Sequence, residues 1–349
     1  MKTALLGKTP AELSQIAVSC GLPAFAGKQI AQWLYQKKVR DIDAMTNLSK
    51  EGRARLKEIC EIGITLPIDC RTSKDGTRKY LFPYTRAKEG GLDSIEAVMI
   101  PDGERKTLCV SSQAGCKMGC RFCMTGRQGF HGSLTAAEIL SQYLAVDESD
   151  GLTNTVFMGM GEPLDNWEEV SRVIEILTAD WGFAWSPKRI TLSTIGVLPN
   201  LRRYLEESRC HLAVSLHDPF PAERLALMPV EKAYPIREVL ALIREYDFTG
   251  QRRVSFEYTM FSGYNDSPRH ADELARMLKG LECRVNLIRF HRIPDFPYST
   301  AGSAAMDAFR DRLEKRGITA TVRASRGEDI LAACGLLAGT HSHTDGHDA

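Results

Sequence analysis

The chain has 349 residues, 43% of them hydrophobic and 26% charged, and its formal net charge is +1. This composition is typical of a globular protein and excludes fibrous and intrinsically disordered chains. No apolar run reaches the roughly 18–20 residues of a membrane-spanning helix, and the N-terminal apolar stretch is too short for a secretory signal. We therefore expect a cytoplasmic protein without a membrane partner.

The chain contains ten cysteines. Disulfide frameworks are typical of small secreted chains, so in a cytosolic chain of this size the cysteines indicate metal binding or catalysis. A net charge this close to zero does not by itself indicate a nucleic-acid partner, which would need a local basic patch.

Residues 1–75 are predicted to form a small helical accessory domain, because apolar residues recur at helical spacing in 11–20 and 28–38. Between residues 28 and 57, three acidic residues oppose eight basic ones, which are Lys28, Lys37, Lys38, Arg40, Lys50, Arg53, Arg55 and Lys57. Taken alone, this pattern favours a solvated helical face. The alternative is a basic module that binds RNA phosphates.

Beyond residue 76, β-rich runs alternate with amphipathic helical segments. We predict strands over 106–112, 153–159, 188–194, 210–216, 252–260, 283–289 and 318–323. We predict helices over 134–146, 167–179, 236–246 and 269–280, with Thr135 as an N-cap three residues before Glu138. This alternation predicts an α/β fold over 76–339, with a parallel sheet curled into a full or partial barrel. Catalytic groups in such barrels lie at the carboxyl ends of the strands. The polar tail, 340–349, is predicted to be disordered.

Three cysteines, Cys116, Cys120 and Cys123, follow the first predicted strand with x3 and x2 spacing. Three thiolates can bind three irons of a 4Fe–4S cluster and leave the fourth iron open for S-adenosylmethionine. The alternative is a zinc site with His131 as fourth ligand. The spacing differs from the common Cys-x2-Cys zinc motif, which favours the cluster.

Small and polar residues end the next strands. Gly161 and Glu162 follow the second strand, Ser193 ends the third, and Ser215-Leu216-His217 end the fourth. Glu162 is a candidate partner for the methionyl ammonium, and the serines suit carboxylate or ribose groups. A hydrolase triad of Ser215, His217 and Asp218 is excluded, because adjacent residues on a strand point to opposite faces.

Seven segments occur in the order found in the RlmN/Cfr family of radical S-adenosylmethionine RNA methyltransferases, and the chain resembles this family over nearly its whole length. They are LCVSSQAGCKMGCRFCMTGRQGF, FMGMGEPL, ITLSTIGVLP, AVSLH, MPVEKAYPI, NLI and RGEDILAACG. The resemblance implies a partial (β/α)6 radical-SAM barrel with an N-terminal accessory domain. It also implies methylation of adenine carbon 2, in the peptidyl-transferase region of 23S rRNA and 3′ of the anticodon in tRNA.

The resemblance assigns roles to residues that would otherwise pass as core or surface positions. Cys334 corresponds to the cysteine that accepts a methyl group, Cys109 to its disulfide partner, and Glu96 to the proton acceptor. The implied cofactor contacts are Gly161, Glu162, Ser193, Ser215, Leu216, His217 and His291. His291 stands where many members carry Asn, and Leu331 and Leu336 stand where relatives often have Asp and Gln.

The implied route uses two S-adenosylmethionine molecules per turnover. One methylates Cys334, and the other yields the radical that activates this methyl group for addition to adenine. Glu96 then takes the C2 proton, and Cys109 releases the RNA by forming a disulfide with Cys334. An electron donor such as flavodoxin is expected. Two alternatives stay open: a Cfr-type enzyme that methylates adenine carbon 8, and a non-catalytic zinc-dependent RNA-binding protein.

Overall fold

The structure is a computed structural model that describes residues 2–84, 86, 94–250 and 252–338. The predicted disordered tail, 340–349, lies outside the described residues. The helices are α1 Pro10–Ser19, α2 Ala26–Ala31, α3 Lys50–Ile59, α4 Met124–Arg127, α5 Ala136–Leu144, α6 Trp167–Thr178, α7 Leu198–Glu207, α8 Pro221–Leu227, α9 Ile236–Ile243, α10 Pro268–Leu278 and α11 Ser303–Lys315. The strands are β1 Thr3–Ala4, β2 Cys60–Glu61, β3 Asp69–Thr72, β4 Arg78–Pro83, β5 Ser94–Asp102, β6 Arg105–Cys109, β7 Gln113–Gly115, β8 Phe130–Ser133, β9 Asn154–Phe157, β10 Ile190–Thr194, β11 His211–Ser215, β12 Val254–Met260, β13 Cys283–Arg289 and β14 Thr319–Val322.

One large sheet dominates the described part of the chain, with the strand order β14-β13-β12-β11-β10-β9-β6-β5-β4-β3. All neighbouring pairs from β6 to β14 are parallel. Each of these strands except β14 is followed by at least one helix, so the described residues contain six strand–helix units and a final strand. The predicted α/β fold and partial (β/α)6 barrel are confirmed.

The seven predicted strands and four predicted helices of the barrel all form, within a few residues of the expected bounds. The parallel strands are buried on both faces, so that β12 is buried at six of its seven positions and β11 at its three central ones. The predicted cap of α5 is also confirmed. Thr135 Oγ1 accepts the Glu138 N–H, and Glu138 Oε2 accepts the Thr135 N–H at 2.7 Å.

Two strand groups were not predicted. Strands β3, β4 and β5 add an antiparallel edge to the sheet, and β7 pairs with β8 in a separate ribbon. The predicted division at residue 75 falls in the turn between β3 and β4, two strands of the same sheet. The division into domains stays a prediction.

The N-terminal helices form as predicted, although 32–36 is a π-helix that continues α2. Several of their basic residues make intramolecular contacts. Lys38 pairs with Asp150 at 3.0 Å, and Arg40 donates to the Leu144 carbonyl, so both join the N-terminal helices to the barrel. Lys57 pairs with Asp43 on its own module. These contacts leave fewer of the eight basic residues for phosphate groups.

The segment after β14 returns to the beginning of the sheet. The Gly327 N–H donates to Asp75 Oδ2 at 3.0 Å, and the Lys74 N–H donates to Asp329 Oδ2 at 3.2 Å. Because β3 and β14 are the two edge strands of the open sheet, this segment bridges the sheet's edges. It also carries Cys334. No described helix has both the length and the apolar character needed to cross a bilayer.

Candidate active site

The three predicted ligand cysteines lie on a loop that leaves β7 and returns in β8. The loop closes where the Cys116 N–H donates to the Gly129 carbonyl at 2.8 Å. Gly115 permits this contact, since it has a φ of +75° and a Cβ there would lie 1.9 Å from the Gly129 oxygen. The short ribbon, which the sequence pattern missed, therefore shapes the cysteine loop.

Cys116, Cys120 and Cys123 converge on one cavity. Burial raises the pKa of the Cys120 thiol, and charges at Cys123 and Cys116 raise it further. All three cysteines line the same cavity, as a shared cluster requires. A bound cation removes this repulsion and deprotonates the thiols. The residues present fit a 4Fe–4S cluster held by three thiolates.

The zinc alternative required His131 as a fourth ligand. His131 Nε2 lies 3.1 Å from the Gln128 carbonyl oxygen, and the histidine is not among the described residues that line the cavity. The described geometry therefore favours three protein ligands and an open position.

The cavity is open to solvent and has about 970 Å³ of empty space, counting its open mouth. It lies at the carboxyl ends of the parallel strands, where the sequence placed it. Nine of the predicted site residues line it, namely Cys116, Cys120, Cys123, Gly161, Glu162, Ser193, Ser215, His217 and Cys334.

Glu162 is a buried residue in the cavity lining, and two backbone N–H groups fix its carboxylate. Its Oε1 accepts the Leu164 N–H at 3.1 Å, and its Oε2 accepts the Ile195 N–H at 2.9 Å. Burial nevertheless raises the pKa of this carboxyl to about 7. A cationic group in the cavity would favour the carboxylate, so Glu162 can bind an ammonium.

His217 presents one ring nitrogen to the cavity. The Thr259 N–H donates to His217 Nδ1 at 3.0 Å, so the neutral ring carries its proton on Nε2. Burial lowers the pKa of His217 to about 3, with the nearby Arg224 charge as a second cause. The imidazole is therefore neutral at physiological pH and serves as a hydrogen-bond donor. Its backbone has a φ of +56°, a conformation uncommon for residues other than glycine.

A fully buried arginine fixes the carboxyl end of β11, the strand that leads into His217. Arg224 Nη2 donates to the Ser215 carbonyl and Nε to the Leu216 carbonyl, both at 2.9 Å. Its charge is paired with Glu231, which is also buried. Leu216 itself is completely buried, and its side chain is not among the described groups lining the cavity. Its predicted cofactor contact stays a prediction.

The two glycines after β9 serve a purpose besides contact with a ligand. A Cβ at Gly159 would lie 2.6 Å from the Val110 carbonyl oxygen. Gly161 has a φ of +97°, and a Cβ there would lie 2.5 Å from the Gln113 side chain. The chain's own backbone therefore requires glycine at both positions.

Cys334 keeps an exposed surface and lines both this cavity and an adjacent one. Burial raises the pKa of the Cys109 thiol to about 12, and the second cause is charge at Cys334. Both cysteines are free thiols in the structure.

Glu96 lies in β5 and is buried outside the cavity. Its Oε1 pairs with Lys79 at 3.0 Å, and its Oε2 accepts the Ala338 N–H at 3.0 Å. Glu96 thus contacts the segment that carries Cys334, but it is not among the described residues lining the cavity. Its role as proton acceptor stays a prediction.

His291 lines the adjacent cavity, not the one that contains the cluster cysteines. Its Nε2 lies 3.1 Å from Ser325 Oγ and its Nδ1 lies 3.3 Å from Glu328 Oε1. The predicted cofactor contact of His291 stays a prediction.

Of the two positions near Cys334 that differ from many relatives, Leu336 is buried, whereas Leu331 is exposed and has a φ of +54°.

Sequence reasoning missed Glu257 and Arg323, which line the cavity next to Cys334. Glu257 Oε1 accepts from Asn286 at 2.7 Å and from Ser255 at 3.0 Å. Glu257 Oε2 has no hydrogen-bond partner among the described residues, and Arg323 Nη1 lies 3.8 Å from it. A buried carboxylate in the middle of a predicted strand was the available signal.

Residues 110–275 match the family described as the radical SAM superfamily, and residues 3–62 match the ribosomal RNA large subunit methyltransferase N-terminal domain. A Porphyromonas gingivalis protein described as a probable dual-specificity RNA methyltransferase RlmN is 57% identical over 96% of this chain and 94% of its own length. The chain belongs to the RlmN family.

A second RlmN relative, from Marinobacter nauticus, is 44% identical over 97% of this chain and 93% of its own length. A solved radical SAM methyltransferase from Sphaerobacter thermophilus is 41% identical, covers 97% of this chain and 100% of its own, and superposes with a TM-score of 0.89. The predictions of a radical SAM RNA methyltransferase that uses a 4Fe–4S cluster and S-adenosylmethionine are confirmed. Cys116, Cys120 and Cys123 are the residues that fit the cluster.

Proposed function

We propose that this RlmN-family chain methylates carbon 2 of adenine, in the peptidyl-transferase region of 23S rRNA and 3′ of the anticodon in tRNA. The observation that carries the proposal is that Cys334 lines the same cavity as the three cysteines predicted to hold the cluster. RNA substrates and a cytoplasmic enzyme reduced by a donor such as flavodoxin belong to the same proposal.

Adenine C2 is a poor nucleophile, so direct transfer from a sulfonium methyl group fails there. When bound, the cluster and S-adenosylmethionine supply the methyl group and the radical chemistry that activates it. The residues of the chain provide the acceptor. Cys334 is a soft nucleophile exposed to the cavity, and its methylated sulfur would lie within reach of a base placed in the cavity mouth. An adenine unstacked from its RNA suits this arrangement.

Cys109 is placed to end the reaction. Attack of its thiolate on the Cys334 sulfur would form a disulfide and break the bond from that sulfur to the methylene carbon attached to adenine. The electron pair of the broken bond would pass to the methylene carbon, which takes a proton to become the methyl group of the released product. The pKa of about 12 keeps the Cys109 thiol protonated and unreactive at neutral pH in the free enzyme. A reductant then has to reopen the disulfide before the next turnover.

The direct test is mass spectrometry of digested 23S rRNA and tRNA after reaction with the reconstituted, reduced enzyme. We expect 2-methyladenosine in both RNAs. A product methylated only at carbon 8 would support the Cfr-type alternative, and binding of RNA without any methylated product would support the zinc-dependent RNA-binding alternative.

Binding of S-adenosylmethionine should depend on pH through Glu162. An ammonium binds the carboxylate form, and because burial raises the pKa of Glu162 to about 7, this form is lost as the pH falls below neutral. We expect affinity to fall about tenfold per pH unit below the pKa and to level off above it. Equilibrium binding to cluster-loaded enzyme from pH 5.5 to 8.5 measures this.

Glu162→Gln should bind weakly and without this pH dependence. A matched control is Glu168→Gln, which removes an exposed carboxylate that lies outside the described cavity lining and is not among the groups that shift the Glu162 pKa, and which should keep the wild-type profile. A wild-type profile that is flat across pH 7 would contradict the role of Glu162.

The charges beside Cys334 should set its rate of methylation. Burial raises the pKa of the Cys334 thiol, a charge at Glu257 raises it further, and Arg323 lowers it. Since the thiolate is the nucleophile, Arg323→Met should slow methylation at pH 7 by up to about tenfold and shift the pH–rate profile upward. Glu257→Gln should shift the profile downward.

Intact-protein mass spectrometry of cluster-loaded enzyme mixed with S-adenosylmethionine follows the methyl group on Cys334. The two variants serve as controls for each other, because a general loss of structure would slow both. Shifts of the same sign in both variants would exclude this electrostatic account.

A further inference from the structure

A second group of ionisable side chains lies beside the loop that follows β11. Asp218, Glu223 and His270 each present a ligand atom, and these three atoms lie within 4.8 Å of one another. Asp218 directly follows His217, Glu223 lies in the first turn of α8, and His270 lies in the first turn of α10. None of the three is among the described residues lining the cavity, so this group is separate from the proposed active site.

Asp218 is fully buried and only half satisfied. Its Oδ1 accepts the Phe220 N–H at 2.8 Å, whereas its Oδ2 has no hydrogen-bond partner among the described residues. An unpartnered buried carboxylate oxygen is costly. Burial accordingly raises the pKa of Asp218 to about 7. The oxygen needs either a proton or a cation.

His270 is oriented as a metal ligand usually is. Its Nδ1 lies 2.7 Å from Ser267 Oγ, which fixes the ring from one side, and its Nε2 points to Glu223 Oε2 at 2.8 Å. The Phe220 ring packs edge-on against the imidazole, with centroids 5.3 Å apart. A hydrogen bond to the distal ring nitrogen is the outer-shell feature that orients ligating histidines.

We propose that Asp218, Glu223 and His270 bind one divalent transition-metal ion, with Zn²⁺ as the best match. One imidazole nitrogen and two carboxylate oxygens are zinc donors at about 2.0–2.2 Å, which places tetrahedral ligands about 3.3 Å apart. The observed separations need only small side-chain shifts to reach this geometry. Mg²⁺ and Ca²⁺ are poorer matches, because they prefer oxygen donors in larger number.

The ion would neutralise the two carboxylates. Among the described residues, the arginine that pairs with Glu223 is Arg269, which is largely exposed and lies 3.0 Å from Glu223 Oε1. The ion would also join three separate parts of the chain: the loop after β11, α8 and α10. Since Asp218 follows His217 directly, the ion would fix the backbone that positions this cavity residue. The role is structural and does not depend on the identity of the RNA product.

The test uses cluster-loaded enzyme under anaerobic conditions, so that the three cluster cysteines are occupied by iron. Purified enzyme is equilibrated with Zn²⁺, dialysed, and analysed for zinc and iron. We expect one zinc per chain with no loss of iron. The isosteric variant Asp218→Asn and the variant His270→Gln should bind zinc at least 100-fold more weakly. The control Asp272→Asn, which removes a carboxylate from the helix that carries His270, should bind zinc as wild type does.

Thermal unfolding supplies a second measurement, because a ligand that binds only the folded state raises the midpoint. Zinc should raise the midpoint of wild type and Asp272→Asn but not that of Asp218→Asn. The proposal is overturned if cluster-loaded wild type takes up no zinc, if Asp218→Asn binds zinc as tightly, or if uptake occurs only as iron is lost.

Discussion

Replacing Cys109 with alanine should abolish turnover and leave the protein covalently joined to its RNA. In the proposed route, Cys109 attacks the Cys334 sulfur, and without it the bond between that sulfur and the methylene carbon attached to adenine is not broken. We expect less than one product per enzyme and a band of protein–RNA adduct on denaturing gels. Nuclease digestion and mass spectrometry should map the adduct to Cys334.

Cys210→Ala is the matched control for this experiment. Cys210 is also buried in the sheet region, and burial raises the pKa of its thiol to about 11, but its interacting neighbours do not include Cys334. This variant should turn over normally. Free, methylated RNA released by Cys109→Ala at the wild-type rate would rule out the disulfide step.

Replacing Arg224 with methionine should have the largest effect on stability. The change leaves the Glu231 carboxylate buried without its partner and removes the donors to the Ser215 and Leu216 carbonyls. Breaking a buried ion pair by removing one member costs about 3–5 kcal/mol. We expect a loss of that size in the free energy of unfolding, measured by chemical denaturation of the cluster-loaded enzyme.

Two further variants separate the buried charge from the loss of side-chain packing. Arg224→Met combined with Glu231→Gln removes the unpaired charge and should recover part of the lost stability. Arg276→Met, which breaks an exposed pair with Glu273, should leave unfolding nearly unchanged. An Arg224→Met enzyme as stable as wild type would show that the buried pair is dispensable.

The sequence predicted the barrel well because short β-rich runs alternate with segments in which apolar residues recur at helical spacing. The cysteine spacing and the polar residues at strand ends predicted the cysteines of the loop and several of the polar residues that line the cavity, since the carboxyl ends of parallel strands meet at one edge. The antiparallel strands β3 to β5 were missed, because their residues show no simple alternation; β5 is buried over its first six positions.

Other features depend on contacts between distant parts of the chain, which local patterns do not report. Glu257 lies on β12 and Arg323 directly follows β14, and the two approach each other only because β12, β13 and β14 are neighbours in the sheet. Arg224 was not singled out, because an arginine in the first turns of an amphipathic helix usually faces solvent. The roles of Cys109, Glu96 and Cys334 came from the family resemblance, since a buried or loop cysteine alone carries no such assignment.

The segment from Gly327 to Ala338 bridges the open sheet through hydrogen bonds between residues 242 to 256 positions apart, and not through strand pairing. These hydrogen bonds can break without disrupting the strand pairing of the sheet, so local opening of the segment does not require global unfolding. The segment also reaches the cysteine loop, because the Met124 N–H donates to the Gly335 carbonyl at 2.8 Å and Thr125 Oγ1 donates to the Leu337 carbonyl at 2.7 Å. Release of the segment that carries Cys334 would therefore also loosen the short helix after Cys123, so the position of this sulfur is coupled to the loop that holds the three predicted cluster ligands.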